Sequence, residues 1–179
     1  MTLDRPILLW GMTGAGKSTV APLLAARCGV PHLDLDARIE QATGRSITAL
    51  WRDEGEAGFR RREAEALEIV IGDPVPRVVA LGGGALLAAD RRRRARAAAW
   101  LVVLTACPAT LVARLAGHDD RPLLAAATDR ADRARELAAL YARRSAAYAD
   151  ADLVVATDHR SPEQVVDSLL ARLHPEAAA

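Results

Sequence analysis

The sequence runs to 179 residues, 51% of them apolar, with 24 lysines and arginines against 23 aspartates and glutamates. That length suits one domain with a substantial core, and a net charge of +1 gives no case for bulk nucleic-acid binding. No apolar run approaches the ~20 residues of a membrane span. The chain enters a strand-like segment directly, so no signal peptide is expected. Cys28 and Cys107 form no metal or redox pattern and sit among apolar neighbours, so both are expected in the core. A cytoplasmic monomer is expected, with no nucleic-acid or membrane partner.

The first element is the apolar run Ile7-Leu8-Leu9-Trp10, which leads into Gly11-Met12-Thr13-Gly14-Ala15-Gly16-Lys17-Ser18 and then Thr19 and Val20. Gly-x-x-x-x-Gly-Lys-Ser between a strand and a helix is the phosphate-binding loop in its expected setting. Its glycines let backbone N–H groups curl around phosphate oxygens, and the helix that follows points its positive end at the same anion. Lys17 would reach the β- and γ-phosphates, and the Ser18 hydroxyl would hold Mg²⁺. Lys17 is also the only lysine in the chain. Arginine serves everywhere else, and a guanidinium does not replace a compact ammonium in a phosphate cradle.

Further apolar runs at His32-Leu35, Val78-Leu81, Trp100-Leu104 and Leu153-Val155 alternate with helical stretches. Five strands in a parallel α/β sheet are therefore expected. The first helix runs to about Cys28, with Gly29 as a left-handed cap. Pro22 falls inside it and predicts a local bend.

The second strand ends in Asp34-Leu35-Asp36. Strand alternation would place the two carboxylates on one side, about 6.6 Å apart, facing the ligand crevice. One would then bind Mg²⁺ through water while the other meets the phosphate acceptor. Alternatively, Asp36 caps a helix beginning at Ala37. Beyond residue 45, Phe59, Glu63, Leu67 and Val70 share a helical face. A core-facing Glu63 needs a partner, and Arg60, three residues earlier, is placed to be one. An arginine held in this way could clamp an anionic substrate. Arg61 and Arg62 read as solvated.

Gly82-Gly83-Gly84 at the end of the third strand implies a close approach to the backbone, by a ligand in preference to a plain turn. Arg91 to Arg94 reads as a solvated helix face. Gly117 to Leu124 breaks the pattern. It could be a surface loop, or a hinged segment that brings Arg121 over the phosphates. In the helix from about Ala131 to Tyr148, Leu137, Leu140, Tyr141, Arg144 and Tyr148 share one phase. Arg144 therefore faces inward and requires an anion, either Glu63 or a substrate carboxylate. Ser161 and Pro162 start the last helix.

In this order the motifs Gly-x-x-Gly-x-Gly-Lys-Ser-Thr, Asp34-x-Asp36, Phe59-Arg60-x-x-Glu63, Gly82-Gly83-Gly84, Arg121-Pro122-Leu123-Leu124 and Arg144 before Tyr148 resemble shikimate kinase, within the nucleoside-monophosphate-kinase-like group of phosphate-loop proteins. The resemblance covers nearly the whole chain. It implies one domain over residues 1–179, a three-layer α/β/α fold with five parallel strands in the order 2-3-1-4-5, and a mobile lid at about 115–128. It also implies transfer of the ATP γ-phosphate to the 3-hydroxyl of shikimate, on the route to chorismate and the aromatic amino acids. ATP would lie on Gly14, Ala15, Gly16, Lys17, Ser18 and Thr19, with Arg121 on its phosphates and Arg114, Arg160 and Pro162 near adenine. Asp36 would contact the shikimate hydroxyls and act as the candidate base. Arg60, Gly82, Gly83, Gly84 and Arg144 would hold the acceptor, chiefly its carboxylate. Mg²⁺ would sit at Ser18, with Asp34 acting through water.

Two rivals remain. A related acid kinase, such as a gluconate kinase, shares the scaffold, but the triple glycine and Arg-Pro-Leu-Leu favour shikimate. A nucleotide-binding regulator without chemistry would be expected to lack Asp36, Arg60 or Arg144.

Overall fold

A computed structural model gives the architecture and describes residues 3–116 and 130–173. In chain order the elements are β1 (Ile7–Gly11), α1 (Lys17–Cys28), β2 (His32–Asp34), α2 (Leu35–Thr43), α3 (Ile47–Ile71), β3 (Val78–Ala80), α4 (Ala89–Ala98), β4 (Trp100–Thr105), α5 (Pro108–Leu115), α6 (Arg130–Ala149), β5 (Leu153–Ala156) and α7 (Pro162–Leu173). Every strand pairing is parallel, and the order is β2-β3-β1-β4-β5. Helices complete a three-layer α/β/α fold, the architecture that alternating strand and helix segments dictate.

The centre of the sheet is the driest part. β1 is buried along its whole length, and so is β3. Buried on both faces, these strands read as continuous apolar runs instead of alternating ones. β1 lies between β3 and β4, and the chain passes from one to the other across it, so a crevice opens beyond the C-terminal end of β1. The phosphate loop follows β1 into that crevice.

α1 runs as one helix from Lys17 to Cys28 with Pro22 inside it, and Gly29 closes it at φ 68°. Local structure departs from the sequence reading at Asp36. Strand pairing stops at Asp34, and Leu35 already opens α2. The alternation argument therefore does not reach Asp36, which lies in the first turn of a helix. The cap is Asp34, whose Oδ1 accepts from the backbone N–H of Asp36 at 3.0 Å and of Ala37 at 3.4 Å. A side-chain acceptor satisfies helix donors that have no partner within the helix.

α3 is two helices joined at Gly55, which has φ 69° and ψ 179°. Glu54, just before the break, receives Arg45 at 2.8 Å and both Nε and Nη2 of Arg62 at 2.8 and 2.9 Å. Arg62 is thus half-buried and paired, in place of the solvated position expected for it.

Two further expectations are corrected. Arg92 in the basic run is buried. Its guanidinium donates to Asp150 at 2.8 Å and to the carbonyls of Leu86 and Leu87 at 3.0 and 3.2 Å, so that face of α4 is structural. Cys107 is exposed, whereas Cys28 is buried as expected. Cys107 occupies the N-cap of α5, and a capping position lies at the rim of the sheet, outside the core.

Candidate active site

Two adjoining clefts open at the C-terminal edge of the sheet. The first, of about 710 Å³, is lined by the phosphate loop, Asp34, Asp36, Arg114, Thr157, Arg160 and Pro162. The second, of about 470 Å³, is lined by Trp51, Phe59, Arg60, Glu63, Gly84, Leu137, Leu140 and Arg144. Asp36, Gly82 and Gly83 line both.

Glycine geometry builds the first cleft. Gly14 and Gly16 have φ of 81° and 94°, a region that side-chain-bearing residues rarely enter. The loop can therefore turn its N–H groups inwards ahead of α1, whose first donors lack intrahelical partners. The Lys17 ammonium donates to the carbonyls of Gly11 at 3.0 Å and Met12 at 2.8 Å. Ser18 Oγ donates to Asp34 Oδ2 at 2.8 Å. A hydroxyl beside a carboxylate is a hard oxygen set that suits Mg²⁺, which binds few protein ligands and keeps water and phosphate around it. No group of three or more His, Cys, Asp or Glu that could hold a metal ion exists among the described residues.

At the far end of this cleft Arg114 donates to the Thr157 hydroxyl at 2.9 Å, the Thr157 carbonyl at 2.8 Å and the Gly14 carbonyl at 3.3 Å. Arg160 donates to the carbonyls of Ala156 and Gln164. Thr157 is buried and was not singled out in the sequence. A lone threonine after a strand carries no signal until Arg114 is seen resting on it.

The second cleft collects charge on apolar walls. Glu63 is fully buried, and its Oε2 accepts from Arg60 Nη1 at 2.7 Å. Burial pushes the Glu63 carboxyl above its ordinary range, while the Arg60 guanidinium works the other way. The arginine is also steadied by Glu56 and lies within 5.6 Å of the Trp51 ring centre and 5.3 Å of that of Phe59, a range in which cations and aromatic faces attract. Arg144 is buried as its helical phase required. Among the described residues no carboxylate hydrogen-bonds to it, and its charge acts on both the Glu63 carboxyl and the Tyr148 hydroxyl.

The three glycines are explained by these side chains. A Cβ on Gly82 would stand 2.5 Å from Glu63 Oε1, one on Gly83 2.9 Å from Arg144 Nη1, and one on Gly84 2.5 Å from Arg60 Nη1. What approaches the backbone most closely is the protein's own charged groups. The sequence reading expected a ligand there.

Asp34, Asp36, Arg60, the triple glycine and Arg144 are thus brought together around the phosphate loop, with Arg114 and Arg160 at its outer end. Arg121 and most of the segment expected to form a lid lie outside the described residues. Trp51, Leu137 and Leu140, the apolar walls, were not singled out as site residues. The break at Gly55 hides the continuity of Trp51 with Phe59.

A central-strand phosphate loop with a second, charged pocket beside it defines a phosphotransferase acting on a small acceptor. The family model for shikimate kinase matches residues 13–174, and the chain belongs to the shikimate kinase family. It is similar to shikimate kinases from Geobacter sulfurreducens, 42% identical over 92% of this chain and 88% of the relative, and from Pseudomonas syringae pv. syringae, 43% identical over 94% and 96%. Among solved structures it resembles a shikimate kinase from Acinetobacter baumannii in complex with shikimate, with TM-score 0.89, 29% identity and coverage of 98% and 96%. A gluconokinase from Sinorhizobium meliloti has TM-score 0.63 at 18% identity over 99% and 96%, a likeness of fold alone. The protein is a kinase.

Proposed function

We propose that this protein transfers the γ-phosphate of ATP to the 3-hydroxyl of shikimate, giving shikimate 3-phosphate and ADP, on the route to chorismate and the aromatic amino acids. It would act in the cytoplasm as a monomer. The observation that carries the acceptor's chemistry is the buried Arg144, which hydrogen-bonds to no carboxylate among the described residues and lines the same cleft as the acid-held Arg60. Glu63 acts on Arg144 only through space, so a carboxylated acceptor supplies the direct anionic partner that a buried guanidinium calls for.

In this reading the Lys17 ammonium exchanges its two loop carbonyls for the β- and γ-phosphates, and the loop donors of Gly14 to Thr19 hold the same oxygens. Arg114 and Arg160 border the nucleoside. Ser18 and Asp34 would hold Mg²⁺, Asp34 through water, and the ion would neutralise charge on the transferring phosphate. Asp36 faces both clefts, where it can orient the acceptor hydroxyl and take its proton. Arg60 and Arg144, set by the Gly82–Gly84 loop, hold the acceptor carboxylate. Most of the acceleration comes from positioning and charge stabilisation, as phosphoryl transfer generally requires.

The test is ADP release with Mg²⁺-ATP and either shikimate or gluconate. Turnover with shikimate is expected, and turnover with gluconate alone overturns the reading. Asp36→Asn is expected to bind ATP normally and to lose about 100-fold or more in kcat; a rate near that of the parent removes the aspartate from the chemistry.

A further inference from the structure

One carbonyl sits at the seam between the two clefts and accepts two side-chain donors. The oxygen of Gly83 receives Trp10 Nε1 at 3.2 Å and the Tyr148 hydroxyl at 3.2 Å. The two donors come from opposite parts of the site. Trp10 is the β1 residue immediately before Gly11, whose own carbonyl holds Lys17. Tyr148 lies one turn beyond Arg144 on α6, near enough for the guanidinium charge to act on its hydroxyl. Their rings meet edge to face, 4.6 Å between centres and 77° between planes, a favoured aromatic geometry. Trp10 is fully buried and Tyr148 nearly so.

Each donor group has a partner because burial demands one. Both use the same partner, although a buried indole and a buried phenol could have been satisfied at different places. The carbonyl belongs to the residue whose Cβ position lies 2.9 Å from Arg144 Nη1 and 3.1 Å from the Gly11 oxygen. A small rotation of this peptide therefore meets the acceptor guanidinium on one side and the phosphate-loop strand on the other. We propose that Trp10 and Tyr148 are positioning residues for the acceptor: they lock the Gly83 peptide from both clefts, and with it the surface against which the Arg144 guanidinium lies. Neither touches a reacting atom. The nucleotide cleft has its own scaffold in the loop glycines and α1, so loss of the lock falls on acceptor binding.

This inference rests on the shikimate reading, so parent turnover with shikimate is measured first; its absence counts against that reading and not against the lock. Given turnover, Tyr148→Phe keeps its ring and removes one donor, while Trp10→Phe exchanges the indole for a smaller ring and removes the other. Each is expected to raise the KM for shikimate about fivefold, the worth of one neutral hydrogen bond, with the KM for ATP unchanged. The double variant leaves the Gly83 oxygen without either donor, so its effect is expected to exceed the product of the single ones, because an orphaned buried acceptor costs more than a lost bond. If Trp10→Phe fails to fold, Tyr148→Phe decides alone. Unchanged shikimate KM, or equal rises for shikimate and ATP together with a lowered melting temperature, overturns the proposal in favour of packing alone.

Discussion

Glu63 carries one oxygen on Arg60, while its other oxygen, Oε1, is buried without a hydrogen-bond partner among the described residues. Burial raises its pKa above the ordinary 4.5, with Arg60 opposing. The sign follows: a carboxyl whose folded pKa is raised is strained as the anion, so its charge costs stability at neutral pH and the cost fades on acidification. Glu63→Gln is therefore expected to keep or raise the melting temperature at pH 7, while Arg60, losing its clamp, gives a shikimate KM about tenfold higher. Thermal melts paired with initial rates check this; lower stability with unchanged KM would make Glu63 a purely structural anion. Arg60, Glu63 and Arg144 were readable from helical phase, because a charge on an apolar stripe announces itself. The joint hold of Trp10 and Tyr148 on Gly83 was not, since it joins residues 73 and 65 positions from Gly83. Cys107 misled through its apolar sequence neighbours, which say nothing about a capping position.

The Gly82–Gly84 loop shows what an element contributes that single residues do not. Its glycines are needed for proximity, since none of the three has a positive φ. Gly84→Ala would put a methyl group 2.5 Å from the Arg60 guanidinium, and a flexible side chain yields before backbone does. The expected result is a folded enzyme with a displaced Arg60, its shikimate KM raised about tenfold and its ATP KM unchanged, read from initial-rate kinetics in both substrates. Equal KM values for parent and variant would show that Arg60 recovers its place. The triple glycine was legible as a close approach, but sequence could not say that the approaching groups are guanidinium and carboxylate. The alternation argument for Asp34-x-Asp36 failed at the same scale, although both residues line the nucleotide cleft. Alternation assumes that a strand continues, and the Asp34 cap ended it two residues early by offering its carboxylate to the next helix.

Across the whole molecule, strand count and strand direction were legible because a doubly covered parallel sheet needs apolar runs separated by helices. The order of the strands came from family resemblance, since periodicity carries no neighbour information. Long-range ties between the sheet's C-terminal loops were also invisible beforehand. Asp158, after β5, accepts from Thr110 and from the Cys107 backbone at the start of α5, which lowers its pKa from 3.8 to about 2. Because the folded pKa is depressed, its stabilisation is complete above about 3.8 and is lost as pH falls through about 2. Asp158→Asn is expected to melt below the parent at pH 7, with the gap closing as the pH approaches 2; a gap that is constant with pH would assign the loss to something other than the charge.

Lys17 offers a last consequence. It is half-buried at the mouth of the nucleotide cleft, with its ammonium on two loop carbonyls, and no other lysine exists in the chain. Apart from the amino terminus, an amine-acylating reagent therefore finds one side chain in the whole protein. The rate of that single acylation becomes a reporter of occupancy, fast when the cradle is open and suppressed when triphosphate fills it. The lone lysine makes the enzyme its own site-specific label.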